Sequence, residues 1–233
     1  MTNEARTGHW IGQTAIIILA GAGSFPGYLA QSVARTPIPK LFFFGVILLC
    51  GGCALSRNPY QPVAYYDIRP EAPEQKPGSA PLALTLQVRR FDMLGPYRTR
   101  MVYRKSEHRL VQDEYNRWIQ PPEQLIEREF YRVLSASGRF RRVVTHMGAE
   151  ADLMLSGTVL RLETGPDLTA HVQLSLRLEE PGEGNVVLSK QYEVMQPLRD
   201  QTPEGFADAV SLALEKIFAG ALEDIAEAAQ AEM

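Results

Sequence analysis

PPEQLIEREFYRVLSAS, residues 121–137, is the stretch that decides the fold class. Its apolar residues Leu125, Ile126, Phe130, Val133 and Leu134 are spaced by three and four, the stripe of an amphipathic helix. Pro121 and Pro122 suit the start of that helix and Gly138 its end. On both sides the period changes to two. Upstream, Leu82, Leu84, Leu86 and Val88 alternate with Ala83, Thr85, Gln87 and Arg89, the pattern of a half-buried strand. Arg100 to Lys105 and His108 to Gln112 follow as strands, with Lys105-Ser106-Glu107 as their turn. Downstream come Arg142 to Thr145, Leu153 to Leu162, and a hairpin. One arm of the hairpin carries Val172, Leu174, Leu176 and Leu178, and the other runs from Val186 to Tyr192. Glu180-Pro181-Gly182-Glu183-Gly184 joins them with the residues turns require. A second helix begins near Thr202 and Pro203 and places Phe206, Val210, Leu214, Ile217, Phe218, Ala221 and Ile225 on one face. The order of strands, helix, strands and helix gives an α+β single domain: a largely antiparallel sheet covered on one side by two amphipathic helices.

Further upstream, Ala54 to Pro81 is proline-rich and broken only by Val63 to Arg69, which reads as a short strand. Ahead of it stands LFFFGVILLCGGC, residues 41–53. About a dozen apolar residues reach only ~18 Å as a helix, and a bilayer span needs roughly 20 residues. The run suits a signal-peptide core. Its ending resembles the lipobox of bacterial lipoproteins, in which small residues (here Gly51 and Gly52) precede a cysteine that is acylated and becomes the first mature residue. That residue is Cys53. Cys50 takes the position where leucine is usual. With no further cysteine downstream, the mature chain has no intramolecular disulfide. A basic n-region of the expected length results if translation begins at Val33. The expected organisation is therefore an extension outside the native protein at 1–32, a lipoprotein signal peptide at 33–52, a flexible tether at 53–63 and the folded domain at 64–230. A peptide from upstream of Val33 detected in native cells would refute the first of these boundaries. The tether has the length to let the domain stand off a membrane.

The 233 residues carry a formal net charge of -3. From Arg89 to Arg142, thirteen Lys and Arg face seven Asp and Glu; from Glu150 onward, five face sixteen. Opposite polarity of this kind suits head-to-tail contact between like subunits. Chemistry is poorly provided for. His108, His146 and His171 lack metal-ligand spacing, and Ser135, Ser137 and Ser156 lack a nucleophile-elbow context. Gly182 and Gly184 sit in a charged turn and not between strand and helix, which excludes a phosphate loop. Asp113-Glu114 and Glu179-Glu180 fall at element ends. No catalytic, cofactor-binding or metal site is expected, and the chain does not read as an enzyme. Arg128 and Arg132, one helical turn apart, and Arg139, Arg141 and Arg142 around Phe140 could face an anionic lipid headgroup or an acidic partner. The plainer reading is a solvated helix face and a turn. Nucleic acid does not fit an exported, slightly acidic chain.

Tyr65-Tyr66-Asp67-Ile68-Arg69, then Met101-Val102-Tyr103-Arg104, then Tyr115-Asn116-Arg117-Trp118-Ile119-Gln120-Pro121-Pro122 leading into the helix resemble the ABC-type transport auxiliary lipoprotein family. Its best-known members are the lipoproteins of the paraquat-inducible intermembrane transport system. Physically the last series makes a corner. Two prolines close a strand and open a helix, and Trp118 supplies a large apolar plate at the end of the core. The resemblance implies an outer-membrane-anchored, periplasm-facing accessory of a lipid transport system, with no cofactor. Its partners would be a mammalian-cell-entry (MCE) domain protein with its ABC permease and ATPase, and ring-like self-association is a further implication. Ala54 after the cysteine fits outer-membrane sorting. Acyl chains such as palmitate, at about 0.8 kcal/mol per buried CH₂, would make a triacylated anchor effectively permanent. The alternative is a stand-alone structural or assembly lipoprotein of the outer membrane, serving lipopolysaccharide placement or cell-wall contact.

Overall fold

One long strand organises the sheet. The computed structural model divides the chain into Met1–Asn58 and Pro59–Met233 and describes residues 60–72, 81–145, 150–182 and 184–232, all in the second unit. Cys53, its signal sequence, most of the tether and His146 lie outside the described residues. The elements are β1 (Ala64–Tyr66), β2 (Leu82–Val88), β3 (Asp92–Met93), β4 (Arg100–Ser106), β5 (Arg109–Trp118), α1 (Pro122–Ala136), β6 (Phe140–Val144), β7 (Leu153–Thr164), β8 (Thr169–Glu179), β9 (Val186–Pro197) and α2 (Pro203–Ala231). Along one edge β7 meets three strands in turn, all parallel to it: β2 at Leu86↔Leu153, β3 at Asp92↔Thr158 and β4 at Tyr103↔Thr164. Along its other edge it pairs antiparallel with β8, and β8 with β9. The sheet therefore forks. Beyond β2 lies β6, in parallel; beyond β4 lies β5, antiparallel, and then β1, parallel to β5.

The long ladders of β7, β8 and β9 make the sheet largely antiparallel. The short registers of β1, β2, β3 and β6 are parallel, a feature that alternation of side chains does not record. Parallel neighbours need a crossover, and α1 lies on the path from β2 to β6.

Both helices cover one face. Leu125, Ile126, Phe130, Val133 and Leu134 of α1 are buried, and so are Phe206, Val210, Leu214, Ile217, Phe218, Ala221 and Ile225 of α2. They meet the inward residues of β8, from Ala170 through Val172, Leu174 and Leu176 to Leu178, and Leu155, Val159 and Leu162 of β7. Side chains of this size contribute roughly 1.5–3 kcal/mol each when fully buried. Where the helices touch, Phe130 stacks on Phe218 with centroids 4.6 Å apart, and Phe91 stands edge-on to Phe130 at 6.2 Å. Gly138 adopts φ 65° just past α1, a left-handed conformation that ends helices and suits glycine. At the start of α2 the Thr202 hydroxyl accepts a hydrogen bond from the Gly205 N–H at 3.0 Å, closing one orphan donor of the first turn.

Several boundaries move. The third expected strand, His108 to Gln112, is ten residues long as β5 and carries the Tyr-Arg-Trp series within it. Its turn with β4 is correspondingly Glu107-His108. Trp118 closes that strand as an inward plate, 1% exposed and 5.5 Å from the Phe206 ring. The two-residue β3 is too short to show any period.

Candidate functional site

Immediately after β1 the chain is strapped across both helices. The Arg69 N–H donates to Ser211 Oγ at 3.1 Å and the Glu71 N–H to Glu215 Oε1 at 2.9 Å, both on α2. From α1, Arg128 Nη2 donates to Asp67 Oδ1 at 2.8 Å and Arg132 Nη2 to the Pro70 carbonyl at 2.5 Å. Glu129, nearly buried, accepts from Arg128 Nε at 2.9 Å and Arg132 Nε at 2.8 Å. Ile68, fully buried, pins the strap into the core. Burial pushes the Asp67 carboxyl up, but hydrogen bonds from Arg128, Arg69 and the Ile68 N–H outweigh it and hold Asp67 below the ordinary carboxylate range.

The five arginines singled out above thus separate. Arg128 and Arg132 grip the strap. Arg139 Nη2 reaches Glu223 Oε2 at 2.9 Å and ties the end of α1 to α2. Arg141 Nη2 donates to Thr85 Oγ1 at 3.2 Å and lies 3.6 Å from Asp152 Oδ2. Arg142 is exposed and has no ion pair among the described residues. Four of the five already face a carboxylate. Sequence reasoning missed Asp67 and Glu129; the i,i+3 spacing of Glu129 to Arg132 was the one local signal.

A cleft of about 510 Å³ opens where β4, the end of β7 and the start of α2 meet. Tyr103, Lys105, Asp113, Leu168, Leu198 and Pro203 are among its walls. Leu168 holds φ 58°, a left-handed backbone that costs a side-chain-bearing residue roughly 1–2 kcal/mol. Two of the cleft's polar groups engage each other. The Tyr103 hydroxyl donates to Asp113 Oδ2 at 3.1 Å, and the same carboxylate accepts from the N–H groups of Tyr115 and Asn116 at 2.8 and 2.9 Å. Burial raises the Asp113 carboxyl, but the Asn116 amide, these N–H groups and Tyr103 hold it below its usual range. Behind the cleft, Glu163 is fully buried on the face of the sheet away from the helices. It accepts from the Tyr97 hydroxyl at 2.6 Å and from Arg104 Nε and Nη2 at 2.5 and 3.1 Å. Burial and then the Glu163 carboxylate push the Tyr97 hydroxyl well above its ordinary value.

This arrangement braces the domain. His108 is exposed, and His171 Nε2 sits 2.8 Å from Thr169 Oγ1. Among the described residues no group of three or more His, Cys, Asp or Glu could hold a metal ion, and no helix is long and apolar enough to cross a membrane. Glu179 accepts from Arg177, and Glu180 from Asn185 at 3.0 Å.

The sequence profile of the family described as the ABC-type transport auxiliary lipoprotein component matches residues 66–220, from the last residue of β1 into α2. The chain belongs to that family. Membership as a transport auxiliary lipoprotein points away from catalysis and towards a membrane-associated, periplasmic setting. Among solved structures the auxiliary lipoprotein is similar to XCC0632 from Xanthomonas campestris, of the DUF330 family: 19% identity and TM-score 0.63 over 73% of this chain and 98% of that one. An uncharacterized protein aligns at 14% identity and TM-score 0.58 over 70% and 99% of the two chains. CT253 from Chlamydia trachomatis gives 10% identity and TM-score 0.47 over 64% and 99%. At these identities the likeness to the first two is one of fold. None of the curated proteins matches the chain.

Proposed function

We propose that this auxiliary lipoprotein is anchored through acylated Cys53 to the outer membrane. It faces the periplasm as the non-enzymatic accessory of an ABC/MCE-type system that moves lipids between the two membranes. The observation that carries the reading is the family match over residues 66–220, standing downstream of an apolar run that ends in Gly51-Gly52-Cys53-Ala54. The strap gives the anchor a mechanical role. Tension on the tether reaches the domain at β1, and the residues that follow, Asp67 to Glu71, are bonded to both helices, so the load passes from the edge strand into the helical layer.

Genetic epistasis tests the reading. Deleting this gene and deleting the permease gene of the MCE system should each sensitise the envelope to the same degree, with no further loss in the double deletion. Cys53→Ser should fail to complement. Additive defects would favour the stand-alone assembly or cell-wall role.

A further inference from the structure

We infer that the β1–β5 edge of the domain lies flat on a phospholipid surface bearing anionic headgroups, in the membrane that holds the Cys53 anchor. The inference rests on the anchor reading above and adds an orientation to it. Large apolar side chains stand unusually open on this edge: Tyr60 is 88% exposed, Tyr65 61%, Ile119 55% and Tyr115 41%. Tyr65, Tyr115 and Ile119 are neighbours. Tyr65 is in register with Arg117, two residues from both Tyr115 and Ile119, and the Ile119 N–H donates to the Tyr66 carbonyl at 2.8 Å. Arg117 in turn is in register with Arg100 on β4. Arg100 and the nearby Arg98 are exposed and, among the described residues, have no ion pair, in contrast to Arg128, Arg132, Arg139 and Arg141, whereas Arg117 is half-buried with its Nε enclosed. Asp67 is turned to Arg128 and Asp113 to Tyr103; Glu123 lines a cavity together with Arg98, its Oε2 buried, and Glu114 is the exposed carboxylate of β5.

Tyrosines mixed with isoleucine and unpaired arginines suit the headgroup layer, where amphipathic rings and cations both find partners. The tether leads to this edge. From Cys53 to Tyr60 are seven residues, at most about 25 Å of extended chain, and β1 is the first strand that the tether enters. The domain accordingly rests on the membrane with this edge down, and does not hang free of it.

The test uses the acylated, full-length mature lipoprotein in vesicles of phosphatidylethanolamine and phosphatidylglycerol. Cys53 is blocked by acylation, so Tyr65→Cys, Ile119→Cys and, as a control on the far edge strand, Ser189→Cys each offer one thiol to an environment-sensitive dye. Vesicle flotation is read alongside the dye. The expected result is flotation of all three, with blue-shifted, brighter emission at 65 and 119 and aqueous emission at 189. Flotation with aqueous emission at 65 and 119 would overturn the orientation and leave the anchor standing. Protein that fails to float, with Cys53 itself taking the dye, would overturn the anchor and this inference with it. A blue shift lost when the protein is diluted at constant lipid would mark a protein interface, which also overturns it.

Discussion

Gly157→Ala tests the packing that joins the two helices to the sheet. Gly157 lies mid-way along β7, opposite Leu176 of β8, and is buried beneath Phe91. A Cβ at this position would stand 2.5, 2.6 and 2.7 Å from three carbons of the Phe91 ring. Favourable carbon contacts begin at about 3.5 Å, so the overlap is about 1 Å with each. Phe91 has little room to retreat. It is 1% exposed, its N–H donates to Glu127 Oε2 at 3.0 Å, and its ring abuts Phe130, which is itself stacked on Phe218. Relief of the clash must therefore shift the aromatic contact between α1 and α2. Overpacking of this kind costs roughly 1–3 kcal/mol; with three close contacts on an immobile ring the upper half of that range applies. For a domain of this size that corresponds to a fall in Tm on the order of 5–10 °C. Urea denaturation followed by the fluorescence of buried Trp118 gives the free energy directly. The double variant Phe91→Leu/Gly157→Ala should be more stable than the sum of the single effects by at least about 1 kcal/mol. A Gly157→Ala protein within about 0.5 kcal/mol of the parent, or strict additivity in the double variant, would refute the packing argument.

Glu163→Gln leaves Arg104 without its counter-charge in a buried site and should destabilise by about 3 kcal/mol, whereas Glu163→Leu combined with Arg104→Met should cost less than either single change; denaturant midpoints decide. Asp67 has its carboxyl held below the ordinary value of 3.8 by the arginines of the strap. Its contribution is therefore complete above that value and is lost as pH falls through the lowered one. Asp67→Asn should accordingly flatten the loss of stability between about pH 5 and about pH 2, measured as urea midpoints across that window. Thr202→Ala removes the side-chain cap of α2 and should cost about 1 kcal/mol, with Thr202→Ser retaining most of it.

The two helices were legible because a stripe spaced by three and four over about three turns or more has few competing explanations, and Phe206 to Ile225 and Leu125 to Leu134 are buried as their spacing requires. The hairpin of β8 and β9 was legible for the same reason, at period two. The fork at β7 was not. Parallel and antiparallel strands share one alternation, and β3 has only two residues. Trp118 was readable as a plate because it is the largest apolar side chain of the Arg-Trp-Ile-Gln-Pro-Pro series, whereas Ile119 and the open tyrosines beside it look like core residues until their exposure is seen. The arginines illustrate the converse limit. Sequence places Arg128 and Arg132 on one helix face, but the Asp67 that engages Arg128 comes from 61 residues away, and only the fold brings it there. Glu163 was not legible because alternation with the buried Leu162 and Thr164 assigns it to the solvent face, and nothing local shows that Tyr97, 66 residues away, reaches it.

In-cell crosslinking of a carboxy-terminally tagged protein, followed by mass spectrometry of what co-purifies from the membrane fraction, bears most directly on the role as a transport accessory. Recovery of an MCE-domain protein together with its permease is the expected result. Recovery of outer-membrane barrels or cell-wall material without either of them would contradict it.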